Sequence, residues 1–284
     1  EELQNISTHG LSYDYVLTAN VDCSATDPSD PDNAGSVWDN GRKGFVPVGN
    51  DSVTRFSGAL NGAGYVVRNI WMNVSEKGGL FGAIAAGGMV GNLTLQDSYT
   101  GTTGSYAALV AALNSGLIED VNITGTAIKL TTGIQYVAGV AAENEASGVI
   151  RNIDADVTAQ ASWYSGAISG RNFGTIDLIT VHDSDISGYG GCIVDTNYGT
   201  INRSVVRSSS CQGAIAYDNG GVISNIHVED GVSSSYGVVR DALGDMSNSM
   251  VEDFNAFSSL SYSHLDAFST NYVATVINFS YHST

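Results

Sequence analysis

The chain has 284 residues, 43% of them hydrophobic, with 34 glycines but only 3 prolines. Its 29 acidic residues outweigh 11 basic ones, for a net charge of −18. That balance excludes nucleic-acid binding through phosphate contacts and attraction to an anionic membrane surface, both of which need clustered Lys and Arg.

No stretch reaches the roughly 18–20 consecutive apolar residues of a membrane span. Long runs of Leu, Glu, Lys and Ala are missing, so helix has little propensity support. Val, Ile, Tyr and Thr fill the apolar runs instead, which favours strands.

Residues 1–55 read as an N-terminal cap with the first strands. The start at Glu1 fits a processed mature protein. Leu11 to Asp22 alternates as a strand does. The loop from Asp27 to Gly35 then carries Pro28 and Pro31, which rule out a central strand there. Trp38 and the segment Phe45-Val46-Pro47-Val48-Gly49 follow. Asp27, Asp30 and Asp32, with Asn33, offer oxygen ligands for a Ca²⁺ ion. The loop lacks a bidentate Glu at the calcium-loop spacing, and a solvated acidic loop is the alternative.

From Phe56 to residue 253 the chain repeats. Anchoring glycines stand at Gly88, Gly116, Gly148, Gly174, Gly199, Gly221 and Gly244, separated by 28, 32, 26, 25, 22 and 23 residues. Two positions after each comes an apolar residue: Val90, Ile118, Ile150, Ile176, Ile201, Ile223, Met246. Seven positions after each come Leu95, Ile123, Ala155, Val181, Val206, Val228 and Val251. Coils of about 22–32 residues with period-2 alternation predict a right-handed parallel β-helix, whose turns stack at about 4.8 Å. A leucine-rich repeat would need its leucine signature and a helical segment, and an antiparallel sandwich would not hold these positions in register.

Small residues mark a second strand per coil, as in Gly82-Ala83-Ile84-Ala85 and Gly139-Val140-Ala141-Ala142. The glycines after it are expected at sharp corners with positive φ. Asn92, Asp120, Asn152, Asn225 and Asn248 recur four positions after the glycines, interrupted by Leu178 and Arg203. They read as an amide ladder at a corner rather than as a binding row. Residues 254–284 lose the glycine register. The strand-like run from Tyr272 to Tyr281 either caps the last coil or pairs with an exposed edge of another molecule.

Four blocks in the first third occur in the order of a known family: Tyr15-Val16-Leu17-Thr18-Ala19-Asn20-Val21-Asp22, Phe45-Val46-Pro47-Val48-Gly49, Phe56-Ser57-Gly58-Ala59-Leu60-Asn61-Gly62-Ala63-Gly64-Tyr65 and Gly79-Leu80-Phe81-Gly82. In these the chain resembles the GLUG-repeat proteins, bacterial cell-surface and secreted β-helix proteins. Farther on, the Gly-Leu-x-Gly motif becomes Ala108-Leu109-Val110-Ala111 and Ala138-Gly139-Val140-Ala141. The resemblance implies an exported adhesive or structural module, often part of a larger surface protein. It brings no catalytic residues with it.

The best acid–base constellation is Asp156, His182 and Asp185, with Asp154, Asp177 and Asp183 nearby in sequence. Asp156 and His182 both fall eight positions after their glycines, so they are expected to face one another across neighbouring coils. Paired carboxylates there would suit glycoside hydrolysis. A polysaccharide lyase would need cations, and only Lys43, Lys77, Lys129 and eight arginines are present. Solvated outer-face residues are the bland alternative.

Sequons at Asn5, Asn50, Asn73, Asn122, Asn202 and Asn278, besides Asn92, offer glycosylation candidates, with Asn50 and Asn73 in presumed loops. Three cysteines, Cys23, Cys192 and Cys211, cannot all pair within one chain. Glycine alignment sets Cys192 and Cys211 an odd three positions apart, on opposite strand faces. A disulfide between them would need a bulge or corner. The function these readings imply is a non-enzymatic extracellular β-helix, an adhesin module or subunit of a surface filament. It would need no cofactor beyond the candidate Ca²⁺. Its partners would be further copies head to tail, a larger surface assembly or cell-surface glycans. An enzyme acting on polysaccharide is the alternative.

Overall fold

A computed structural model describes residues 2–33, 43–49, 53–74, 77–102, 104–130, 136–229, 232–234, 239–247, 249–251 and 255–256. The chain is a parallel β-solenoid. Among the described residues one sheet of 21 strands wraps most of each coil, and a second sheet of 7 short strands closes it.

The glycine-plus-two residues do form one column. Leu60, Val90, Ile118, Ile150, Ile176, Ile201, Ile223 and Met246 are successive partners in parallel register. From Leu60 to Ile223 every one of them is fully buried. A second column runs from Val21 through Val67, Leu95, Ile123, Ala155, Val181, Val206 and Val228 to Val251. Each coil alone has no partner for its apolar face, so burial comes from the rungs above and below.

Between the two columns the strand bends. Asn92, Asp120, Asn152, Leu178, Arg203 and Asn225 all adopt φ between 47 and 55°. A left-handed residue here lets Ile118 and Val121, three apart, both point inward. Asn and Asp tolerate that conformation better than other side-chain-bearing residues. Leu178 and Arg203 therefore interrupt the amides but not the corner. Asn248 lies outside the described residues.

The anchoring glycines serve a different purpose from the one their position suggests. None of them has positive φ. A Cβ on Gly116, Gly174, Gly199, Gly221 or Gly244 would instead collide with the backbone oxygen of the glycine one coil earlier. Glycine is needed for close approach of backbones, not for a left-handed turn.

Beside them runs a ladder that the repeat pattern does not announce. Asn114, Asn144, Asn172, Asn197 and Asn219 end the strands of the second sheet and are at most 1% exposed. Each amide nitrogen donates to the next Oδ1, at 2.9, 2.8, 2.8 and 2.7 Å in turn. The Oδ1 atoms of Asn114, Asn172 and Asn219 also accept from the backbone N–H of Gly116, Gly174 and Gly221. Buried amides of this kind are tolerated only because both ends are satisfied.

The N-terminal region carries a helix besides the first strands expected of it. An α-helix, Glu2–His9, buries Leu3 and Ile6 against the first coil. Gln4 fixes it by donating to the Val46 carbonyl and accepting from the Val46 N–H. Tyr15–Val16 and Val21–Asp22 then pair in parallel with Ala59–Asn61 and Val66–Arg68. This part of residues 1–55 is thus the first rung of the solenoid itself. Trp38 lies outside the described residues, as does the run Tyr272–Tyr281.

Cys192 and Cys211 are joined, with their Cα atoms 5.4 Å apart. The glycine alignment misplaces Cys211 because the coil shortens there. Asp185 pairs with Ser210, yet Gly191 already pairs with Gly213. Three residues are missing from the later coil, so Cys211 follows Ile186 in register rather than Tyr189. Ile186 and Cys211 both point inward, at 3% and 6% exposure. Closing a loop of this length contributes about 3 kcal/mol.

Candidate functional site

The long strands present two outward rows on one face. Thr94, Asn122, Asp154, Thr180, Val205 and His227 occupy one set of register positions. Asp156 and His182 stand in the next row, one position beyond the paired Ala155 and Val181, as their spacing predicts.

His182 does not use Asp156 as its hydrogen-bond partner, however. Its Nε2 lies 3.1 Å from Asp154 Oδ1 and its Nδ1 lies 3.0 Å from Asp183 Oδ2. The ring is therefore held between two carboxylates that are both well exposed. The chain is also one residue shorter at this corner than in the coil below. Thr126 pairs with Val157 although Ile123 pairs with Ala155, so Asp156 alone spans the corner that Thr124 and Gly125 turn below it. Burial pushes the Asp156 carboxyl up from its ordinary value, an effect that nearby His182 opposes and Asp183 reinforces. Asp185 sits on the next strand, exposed, and pairs through its backbone with Thr158 and Ser210.

Next to this cluster lies an open, shallow cleft of about 400 Å³, lined by Asp120, Asn122, Asn152, Asp154, Leu178 and Thr180. Its walls carry carboxylates and amides. Arg203 pairs with Asp177, and Arg151 with Glu119 at 2.5 Å, while Arg207 is the register partner of His182 on the following coil. A uronate polymer would meet mostly like charge along the cleft's own lining, which weighs against lyase chemistry. A neutral glycan would meet carboxyls, amides and one imidazole. His182 places an imidazole at this edge, and beside it burial raises the Asp156 carboxyl above its ordinary value.

The N-terminal acidic loop folds on itself. Asp27 Oδ1 accepts from the Ser29 N–H at 2.8 Å, and Asp30 Oδ1 from the Asp32 N–H at 2.9 Å. Asn33 donates to the carbonyls of Ser24 and Asp27. One oxygen on each of two candidate Ca²⁺ ligands thus already caps a turn. Among the described residues no group of three or more His, Cys, Asp or Glu is arranged to hold a metal ion.

The sequons fall in varied settings. Asn73 lies on a strand, Trp71–Val74, rather than in a loop, and is exposed. Asn122 is exposed in the cleft row, and Asn5 is half-buried in the helix. Asn202 is engaged on both sides of its amide: it donates to Asp177, while Ser224 and Asn225 donate to its oxygen. Asn50 and Asn278 lie outside the described residues. Cys23 is buried, and burial pushes its thiol up to about 11, so it is an inert core group.

Sequence reasoning missed the Asp154–His182 pair because it aligned His182 with Asp156 only by position. The signal was available: Asp154 stands two residues before Asp156 on the same face of a strand.

No family model matches the chain. Halomucin of Haloquadratum walsbyi is 34% identical over 146 residues, 50% of this chain but 1% of halomucin. A protein of Evansella cellulosilytica, provisionally named a Gly-rich membrane protein, is 34% identical over 128 residues, 43% of this chain and 13% of its own length. The chain therefore spans only a small part of either relative. A crystal structure from Bacteroides ovatus, of a protein provisionally named an immunoglobulin A1 protease, superimposes with a TM-score of 0.61. It matches over 88% of this chain and 81% of that one at 14% identity, a likeness of fold alone. Among the described residues no helix is long and apolar enough to cross a membrane.

Proposed function

We propose that the chain is a non-enzymatic structural module of a longer, cell-surface or secreted protein, a stiff acidic rod that spaces or presents other parts. The observation that carries this reading is the unbroken buried column from Leu60 to Ile223. It makes one continuous body in which each coil is held by the coils above and below it. Three further facts support it. The Cys192–Cys211 disulfide suits an oxidising compartment. The net charge of −18 keeps such a rod soluble and apart from anionic surfaces. Both similar proteins are far longer than this chain, and one is named as a membrane protein. Membership of the GLUG-repeat group, an adhesive role towards glycans and head-to-tail assembly belong to the same proposal. The last follows from rungs whose backbone groups can pair with a further strand.

Negative-stain imaging across a range of protein concentrations tests it. Rods or fibres of uniform width are expected; compact globules at every concentration would overturn the reading.

One observation favours a second reading. Asp156, with its raised pKa, stands beside His182 and next to a cleft lined by Asp154 and Asp120, and a pair of carboxyls is what glycoside hydrolysis uses. Soluble sugar released from a panel of neutral polysaccharides, and lost in His182→Ala, would replace the structural proposal with this one.

A further inference from the structure

The strand opening the second sheet's corner carries tyrosines at equivalent positions of successive coils. Tyr106 is the register partner of Tyr136, and Tyr136 of Tyr164. Parallel in-register pairing stacks the rings. Tyr106 and Tyr136 have centroids 5.4 Å apart with planes 21° from parallel, and Tyr136 and Tyr164 are 4.9 Å apart at 13°. All three side chains are half-buried, so solvent reaches the column. Arg171 fixes the middle ring: its guanidinium lies 4.6 Å from the centre of Tyr136 and is held by Glu143 at 2.5 Å. A Cβ at Gly170 would press on Tyr136 at 3.0 Å, so the ring's root lies directly on the neighbouring strand.

We propose that Tyr136 and Tyr164 form an oxidative modification site, joined between coils as a dityrosine when the protein meets hydrogen peroxide and a peroxidase. Each phenol loses one electron and one proton to give a phenoxyl radical. The two radicals couple through a new carbon–carbon bond between ring carbons ortho to the oxygens, and re-aromatisation restores both hydroxyls. The net change is loss of two hydrogens from the protein, while one peroxide is reduced to two waters.

In solution this coupling is limited by the meeting of two radicals. Here the second ring is already stacked, its centroid 4.9 Å away, so the step is intramolecular and gains the advantage of proximity. Tyr106 extends the stack by one ring, which lets a radical formed on it pass to Tyr136. The Cys192–Cys211 disulfide supplies an independent reason to expect oxidising surroundings. The product would tie adjacent coils covalently at a rung that the disulfide does not reach.

Trypsin makes the test clean, because cleavage after Lys129, Arg151 and Arg171 places Tyr136 and Tyr164 on separate peptides, 130–151 and 152–171. The full chain is treated at low concentration with peroxidase and hydrogen peroxide, digested, and analysed by mass spectrometry and dityrosine fluorescence. The expected product is the two peptides joined, two hydrogens lighter than their sum, in a yield that does not change on dilution. Tyr136→Phe and Tyr164→Phe, which keep a ring in the stack and so the fold, should each lose it. Tyr198→Phe should not. Cross-links that fall away on dilution, cross-links confined to other tyrosines, or tyrosines left unreacted would each overturn the proposal.

Discussion

Two asparagine columns run along this solenoid, and water separates their roles. The inner one, Asn114 to Asn219, is sealed from solvent, and its members hydrogen-bond to one another and to the glycine backbone. The outer one, Asn92, Asp120, Asn152 and Asn225, is exposed at a left-handed corner. The outer position accepts Leu178 and Arg203, because water can satisfy whatever the side chain does not. The inner position keeps asparagine through five successive coils, because every lost bond there leaves a buried polar group unpaired. A repeated residue therefore reveals its purpose only with its burial.

Substitution sharpens the contrast. Asn172→Ala removes the acceptor of the Asn144 amide and of the Gly174 N–H, and the donor to Asn197. It should lower unfolding free energy by about 4 kcal/mol in urea titrations, at about 1–3 kcal/mol per stranded group. Reducing the Cys192–Cys211 disulfide comes next, with an expected loss of about 3 kcal/mol, read as a lower urea midpoint with dithiothreitol than without. At the outer corner Asn152→Ala should cost only about 1 kcal/mol, and Leu178→Asn should stabilise by a similar amount, since asparagine relieves the left-handed strain. A loss at Asn152 as large as that at Asn172 would erase the distinction.

The smallest effects concern pH. Asp22 is held down to about 2 by hydrogen bonds from Asn69 and Ser24, and Asp177 is held below its ordinary value chiefly by Arg203. Both are lowered in the folded state, so they stabilise it above the ordinary carboxylate value. That contribution is lost as pH falls, for Asp22 between 3.8 and about 2. Asp156 has the opposite sign. Its raised value penalises the folded state once the carboxyl ionises, so Asp156→Asn should raise the melting temperature at neutral pH. The gain should fade below the ordinary carboxylate range. A gain that persists into acid would point to packing rather than charge.

The sequence makes the hydrophobic columns plain, because glycine, alternation and apolar type recur together from Val90 to Ile223. The inner ladder is legible only in part. Asn114, Asn172, Asn197 and Asn219 each precede an anchoring glycine by two residues, but Asn144 precedes Gly148 by four because the turn there is longer. The helix at Glu2–His9 escapes notice since its propensity is weak, and packing of Leu3 and Ile6 sustains it. The disulfide is hidden by a three-residue shortening that glycine alignment cannot place. The His182 site is half legible: register brings Asp156 opposite, but the bond goes to Asp154 because side chains reach diagonally across rungs.

The stacking of coils is tested most directly by distances between spin labels. Thr94, Thr180, Val205 and His227 occupy the same outward register position on different coils. Labels at Thr94 paired with each of the other three should be roughly 14, 19 and 24 Å apart, rising by about one rung spacing per coil. Distances that fail to rise in that order, or that cluster at one value, would contradict the solenoid and the rod-like function built on it.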